Sequence, residues 1–300
     1  MIKFNSYHPF ALITIFFWSL AYIFTRITIK YFSAFSLGFL RYFIAAFVLI
    51  LVAIILKIKI PDKKDIKWFL LSGLSGFSLY VITFNKGCET VSASTSSIII
   101  ATVPVITALL ARFFYKEKIR YSQYLAILIE FLGVIIVTTT NGTFTINTGI
   151  IWLLLAAFSL SIYNILQRKL TKKYTALRTT IYSIFIGEFL LFIFLPETIK
   201  EIKHIPIIQY FYIGFLGIFC SAIAYISWST AISKAKETIS VSNYMFLTPF
   251  LTTILGLIII NEKPEIQTII GGIIILTGMF LYNSGKKHKG RKNSVRPNIA

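Results

Sequence analysis

Ten apolar stretches, each about 20 residues long and so long enough to cross a bilayer, commit this 300-residue chain to lipid. They run roughly over 9–30, 35–56, 68–87, 94–115, 121–140, 148–167, 178–195, 208–232, 239–260 and 266–284. Backbone in hydrocarbon has no water to bond with, so it must wind into helices or close into a barrel. A barrel strand needs only about half this length, which selects helices. The expected fold class is an all-α polytopic membrane protein with ten transmembrane helices. With 56% hydrophobic and 14% charged residues, little chain is left for a soluble domain. The first stretch follows Lys3 as a secretory signal would, but it is too long, contains Arg26 and lacks a small-residue cleavage site. It reads as a retained first helix.

The second half repeats the first at an ungapped spacing of 145 positions. Pro104, Thr107, Leu110, Glu117, Lys118, Ile129 and Gly133 recur as Pro249, Thr252, Leu255, Glu262, Lys263, Ile274 and Gly278. Five helices per half is an odd number, so the two copies must face opposite ways, as in alternating-access carriers. The expected units are residues 1–141, residues 142–285 and a basic, disordered tail over 286–300. One short match departs from this register: "ETVSAS" at Glu89 and "ETISVS" at Glu237 lie 148 apart, so the entries to helices 4 and 9 differ by about one turn.

Most of the 30 Lys and Arg fall in alternate loops. One side gathers Lys57 to Lys67, Arg112 to Arg120, Arg168 to Arg178, Lys234, Lys236 and the tail, while the other holds Arg26, Lys30, Lys86, Lys200, Lys203 and Lys263. The positive-inside bias puts the first set, and both termini, in the cytoplasm of a cell-membrane protein. The repeat agrees, because Arg112, Lys116 and Arg120 align with Leu257, Asn261 and Glu265. Basic loops without interleaved aromatics or a soluble fold do not point to nucleic acid.

Polar groups within the spans mark where a solute would bind, because they are costly there. Glu130 and Glu188 are the two acids deep in predicted helices, and His8, His204 and His288 lie in loops or termini. Glu188 is therefore the proton-coupling candidate, with a buried structural carboxyl as the alternative. Arg41, about two turns into helix 2, either meets an anionic solute or Glu188, or snorkels outward; Arg26 and Lys86 read as anchors near outer ends. Pro104 and Pro249 fall mid-helix, where each removes a donor from the carbonyl one turn earlier. Trp18, Tyr22, Tyr80, Asn85, Tyr163, Asn164, Tyr225, Trp228 and Asn243, with Tyr244 nearby, supply an aromatic wall with polar handles. Gly73, Gly76, Gly214, Gly217, Gly271, Gly272 and Gly278 allow close helix approach. Cys88 and Cys220 are the only cysteines, and no disulfide framework, metal site or cofactor motif is present in the sequence.

The units "TVPVITALLARFFYKEKIRYSQYLAILIEFLGVIIV" and "LTPFLTTILGLIIINEKPEIQTIIGGIIILTGMFL", with "FFWSLAYIFTR" and "LRYF" around Arg41, resemble the EamA-type branch of the drug/metabolite transporter superfamily. The resemblance covers the chain to about Gly285. It implies two inverted five-helix repeats, a cavity lined by helices 1 to 4 and 6 to 9, and helices 5 and 10 at the periphery, which lowers Glu130 as a site residue. Ser159 stands where the family usually has a helix-6 tryptophan, so the cavity chemistry differs from other members. The expected function is a secondary active transporter of a small organic metabolite, exporting an amino acid or related compound. An uptake permease or exchanger, or less readily a receptor or lipid-modifying enzyme, is the alternative. The expected partners are the solute and the lipid bilayer, with pairing of two copies left open.

Overall fold

The computed structural model describes residues 6–115, 121–137, 139–140, 143–144, 147–203, 205–236 and 238–292. Glu117, Lys118, His204 and Glu237 lie outside the described residues, as do Lys116 and Arg120. The described chain is helical almost throughout. Eight helices are long and apolar enough to span a bilayer: α1 His8–Thr28, α2 Ala34–Ile55, α3 Lys63–Thr90, α4 Ala93–Tyr115, α6 Thr148–Leu170, α7 Ala176–Ile202, α8 Ile207–Lys234 and α9 Ser240–Ile260. Between and after them come α5, Tyr121–Val137, and α10, Ile266–Lys292. These complete the ten-helix fold. At 17 residues α5 sits at the short limit for a span. It stops before Thr139–Thr140 (β1), which pairs antiparallel with Thr143–Phe144 (β2) where helix was expected to Thr140. β-branched threonines favour that extended pairing. The helix of α10 also runs on to Lys292, past the expected start of a disordered tail at residue 286.

Side-chain caps punctuate the helices at their entries. Ser33, Ser92, Asn147 and Thr175 precede α2, α4, α6 and α7, and each accepts a bond from a first-turn backbone N–H, satisfying donors the helix itself cannot. A different device ends α9. Asn261 takes a left-handed conformation, φ 52°, and the N–H groups of Asn261 and Glu262 both return to the Gly256 carbonyl. This Schellman-type turn reverses the chain and aims Glu262 back over the bundle.

The chain packs as two compact units: Met1–Leu110 with Asn147–Lys263, and Ala111–Ile146 with Pro264–Ala300. Packing therefore cuts across the expected repeat units, with α5 and α10 packed against each other. In that second unit the repeat is visible atom by atom. A Cβ on Gly133 would lie 2.8 Å from the Gly271 carbonyl and 2.9 Å from Ile275 N, and one on Gly278 would lie 2.8 Å from the Ala126 carbonyl and 3.0 Å from Glu130 N. Adding 145 to the first set of residues gives Gly278, and subtracting it from Gly271 and Ile275 gives Ala126 and Glu130. The crossing is thus symmetric, with Glu130 opposite an isoleucine, and the Glu130 carboxyl is buried in this pair.

The larger unit repeats a second crossing. Gly73 of α3 meets the Ser183 carbonyl and Ile186 Cβ of α7, while Gly217 of α8 meets the Arg41 carbonyl and Ile44 Cβ of α2. Directly after each glycine the helix widens into a π turn, Leu74–Leu79 and Ile218–Ile223. Gly214 has nothing within 4 Å of a would-be Cβ, so it does not provide the close approach expected of it.

Candidate functional site

Both helices that carry a mid-span proline are interrupted there. α4 breaks between Ile100 and Val103, just before Pro104, and α9 tightens into a 3-10 turn over Asn243–Phe246 before Pro249. The residues four positions ahead of the two prolines, whose carbonyls lose a donor, are Ile100 and Met245. Both line one enclosed cavity, whose other walls are Trp18, Ala21, Tyr22, Arg41, Tyr80, Phe84 and Thr248.

Arg41 is the cavity's cation. It is buried, at 2% exposure, so it neither snorkels outward nor forms an ion pair with Glu188 among the described residues. Its Nε donates to Ser221 Oγ at 2.7 Å and its Nη2 to the Cys220 carbonyl at 3.4 Å, both on the π turn of α8. Its Nη1 has no partner. Trp18 Nε1 and Thr248 Oγ1, also on the cavity wall, are likewise buried without a partner. A buried charge and two polar groups left unpaired are costly, and donors converging on an aromatic cavity define a place for an acceptor-bearing solute. The cavity itself measures only about 10 Å³, the size of one water. It has no room for a metabolite.

Of the expected site residues, Trp18, Tyr22, Arg41 and Tyr80 line this cavity. The others lie outside its lining and bond to neighbours, although Asn85 Oδ1 and Asn164 Nδ2 stay buried without a partner. Trp228 Nε1 donates to Asn164 Oδ1 at 2.8 Å, Tyr42 OH to Tyr225 OH at 3.3 Å, and Asn85 Nδ2 to the Ala34 carbonyl at 2.9 Å. Tyr163 OH shares a 3.4 Å bond with Ser229 Oγ. The rings remain continuous with the cavity, since Trp18 lies 5.0 Å from Trp228 and 5.2 Å from Tyr225. Asn243 is half-buried in the turn ahead of Pro249. Glu188, buried with neither oxygen bonded, is outside the cavity lining. The sequence reading missed Ala21, Phe84, Ile100, Met245 and Thr248; for Ile100 and Met245, the positions four before each proline were the available signal.

Ionic clusters lie at both ends of the helices. On the face where α1 ends, Arg26 Nε stands 3.6 Å from Glu262 Oε1, and Glu262 Oε2 accepts from the Ala93 N–H at 3.2 Å. Arg26 therefore pairs with Glu262 instead of serving as an isolated anchor. On the opposite face, Lys173 bridges Asp62 at 2.5 Å and Asp65 at 2.6 Å, and Tyr174 OH donates to Asp65 at 2.6 Å. Beneath that cluster a buried chain runs from Ser229 Oγ to Gln167, on to Ser72 and to Ser183, at 3.2, 3.2 and 2.9 Å. A larger groove of about 560 Å³ beside Ile54 and Phe185 is apolar apart from Lys57 and Tyr182, and offers little to orient a polar solute.

Comparison with known proteins bears on this geometry. The sequence model of the EamA-like transporter family matches residues 5–139 and 147–284, so each half is matched separately. The uncharacterized transporter YdfC of Bacillus subtilis is 32% identical over 266 residues, spanning 87% of this chain and 86% of its own. A probable terminal-alkyne amino-acid exporter of Streptantibioticus cattleyicolor is 25% identical over 283 residues, covering 94% of each. A solved crystal structure superposes with a TM-score of 0.66 at 16% identity, covering 93% of this chain and 97% of the other, which supports the fold.

Proposed function

Since the chain belongs to the EamA-like transporter family and is a multi-pass membrane transporter, we propose that it exports a small amphipathic carboxylate, an amino acid or close derivative, by alternating access across the cell membrane. The observation that carries this reading is the unpartnered Arg41 Nη1 in an aromatic cavity. A carboxylate there satisfies the guanidinium, and Trp18, Tyr22, Tyr80 and Phe84 cover an apolar body. The exporter among its relatives acts on an amino acid by name, in keeping with that chemistry. Closures on both faces of a cavity too small for a metabolite support a carrier caught between its two openings. Two inverted repeats, with Pro104 and Pro249 flanking the cavity, supply the elements that rock. Both termini then face the cytoplasm, and Glu188 is the coupling carboxyl.

The test is counterflow in proteoliposomes after a thermal-shift screen of free and N-substituted amino acids. Arg41→Gln is expected to abolish counterflow of every carboxylate hit while leaving a monodisperse protein. Undiminished counterflow in that variant excludes Arg41 as the carboxylate site.

A further inference from the structure

Trp18, Tyr22 and Arg26 occupy successive turns of one α1 face and lead from the cavity to the protein's surface, about 12 Å at the helical rise. α9, packed along α1, presents a parallel series: Thr248 on the cavity wall, then Thr252, Gly256 and Ile260. Thr248 Oγ1 and Thr252 Oγ1 are both buried without a hydrogen-bond partner. At Gly256 a would-be Cβ meets only Ile23 Cδ1, at 3.5 Å. The series opens into a vestibule of about 230 Å³ lined by Arg26, Ile27, Lys30, Ile260 and Glu262. Two pockets thus lie at the two ends of a packed seam that carries unpartnered hydroxyls.

The mouth of the seam is built to hold a carboxylate. Arg26 is fixed by bonds from Nη1 to the Cys88 carbonyl at 2.9 Å and the Glu89 carbonyl at 3.3 Å, which orients its Nε edge towards Glu262. The first N–H of α4, at Ala93, points to the same carboxylate, and a helix N-terminus favours an anion. The group occupying this cradle is the protein's own Glu262, delivered by the left-handed turn at Asn261. Lys30 adds a second cation at the rim.

We infer that the cradle of Arg26 and the Ala93 N–H is a second binding site for a small organic carboxylate, at the mouth of the α1–α9 seam, and that Glu262 fills it while the seam is shut. The inference rests on the reading of the chain as a carboxylate carrier. A travelling carboxylate displaces Glu262 from Arg26, and the same exchange opens the path that the solute takes to or from Arg41. Gate and vestibule site are one structure, selective for anions because the plug is an anion.

The experiment needs no knowledge of the natural solute. Thr252→Cys places a thiol in the seam, and its labelling by impermeant sulfonatoethyl and trimethylammonioethyl methanethiosulfonates, anionic and cationic, is followed from each side of reconstituted vesicles. The parent chain serves as the blank for Cys88 and Cys220. Adding Glu262→Gln is expected to speed anionic labelling from the Arg26 side about tenfold, the equivalent of one charge-assisted hydrogen bond, with less gain for the cationic reagent. Adding Arg26→Gln should then erase the anionic preference while the seam stays open. Labelling unchanged by Glu262→Gln, or an anionic preference that survives Arg26→Gln, overturns the inference. Because Glu262→Gln weakens the cap contact to α4 along with the charge, Glu262→Asp is run beside it: a shorter acid should give an intermediate rate, and a rate equal to that of the Gln variant would trace the effect to lost packing. Should labelling follow these expectations while carboxylate counterflow fails, the path stands and the exporter reading falls; the reverse result separates them the other way.

Discussion

Three glycines in two helices give a test of the packing with its own control. In α3, a methyl added at Gly73 would press to 2.8 Å from the Ser183 carbonyl and 2.9 Å from the Gly187 amide, both backbone atoms of α7. In α8, a methyl at Gly217 would meet Ile44 Cβ at 2.6 Å and the Arg41 carbonyl at 3.0 Å. Backbone cannot rotate away as a flexible side chain can, so the helices must separate, and overpacking of this kind costs about 1–3 kcal/mol. The intrinsic helix preference of alanine over glycine returns only about 0.5–1 kcal/mol, leaving Gly73→Ala and Gly217→Ala net destabilising. Gly214→Ala, three residues from Gly217 on the same helix, has open space and keeps the whole preference, so it should be neutral or stabilising. Thermal unfolding of the purified protein in detergent reads the order. Gly217→Ala should also weaken solute binding more than Gly73→Ala, because it pushes on the residue whose guanidinium lines the cavity. A Gly214→Ala protein that melts as low as Gly73→Ala would refute the assignment of these crossings.

Three further outcomes are expected. Glu188→Gln should leave counterflow intact but abolish the dependence of net flux on an imposed pH gradient; a retained dependence removes Glu188 from the coupling role. Pro249→Ala restores a donor opposite the Met245 carbonyl, straightens α9 and should slow exchange with little loss of thermal stability, measured as initial counterflow rate beside melting temperature. The bond from Lys173 holds the Asp62 carboxyl below the ordinary aspartate range, and the bond to Asp62 holds the Lys173 ammonium up. Asp62's share of the clasp is full above the ordinary aspartate range and lost as pH falls through its lowered value. Lys173's share is full below the ordinary lysine range and lost as pH rises through its raised value. Proteolysis of the adjoining loops should therefore be slowest on a plateau between these limits, and Lys173→Gln should flatten the profile; both groups are exposed, so the effect is modest.

The spans could be read from sequence because lipid permits so few structures that apolar length alone decides them. The prolines were equally readable, since a missing N–H acts at a fixed distance along the chain and marks Ile100 and Met245. Residue type was a weaker guide to the cavity. Asn164, Trp228 and Asn85 have the right chemistry, yet each satisfies a neighbour, and only side-chain geometry distinguishes a handle from an internal tie. Glu262 was visible as one half of a repeated pair, but its partner Arg26 lies far away in sequence. The π turns carry no residue signature, because an extra residue in a helix is defined by hydrogen bonds and not by composition.

Those two turns also set the rotation of everything that follows them in each helix. A π turn is how a helix absorbs one surplus residue without disturbing the register at its ends, and here the surplus follows Gly73 and Gly217 alike. Each turn begins one residue past a glycine packed against a neighbouring helix, so the two irregularities occupy matching places. Deleting one residue from Leu74–Leu79 would undo it and swing Tyr80 and Phe84 by about 100° around α3, away from Arg41. One surplus residue thus sets the phase of the aromatic wall relative to the guanidinium.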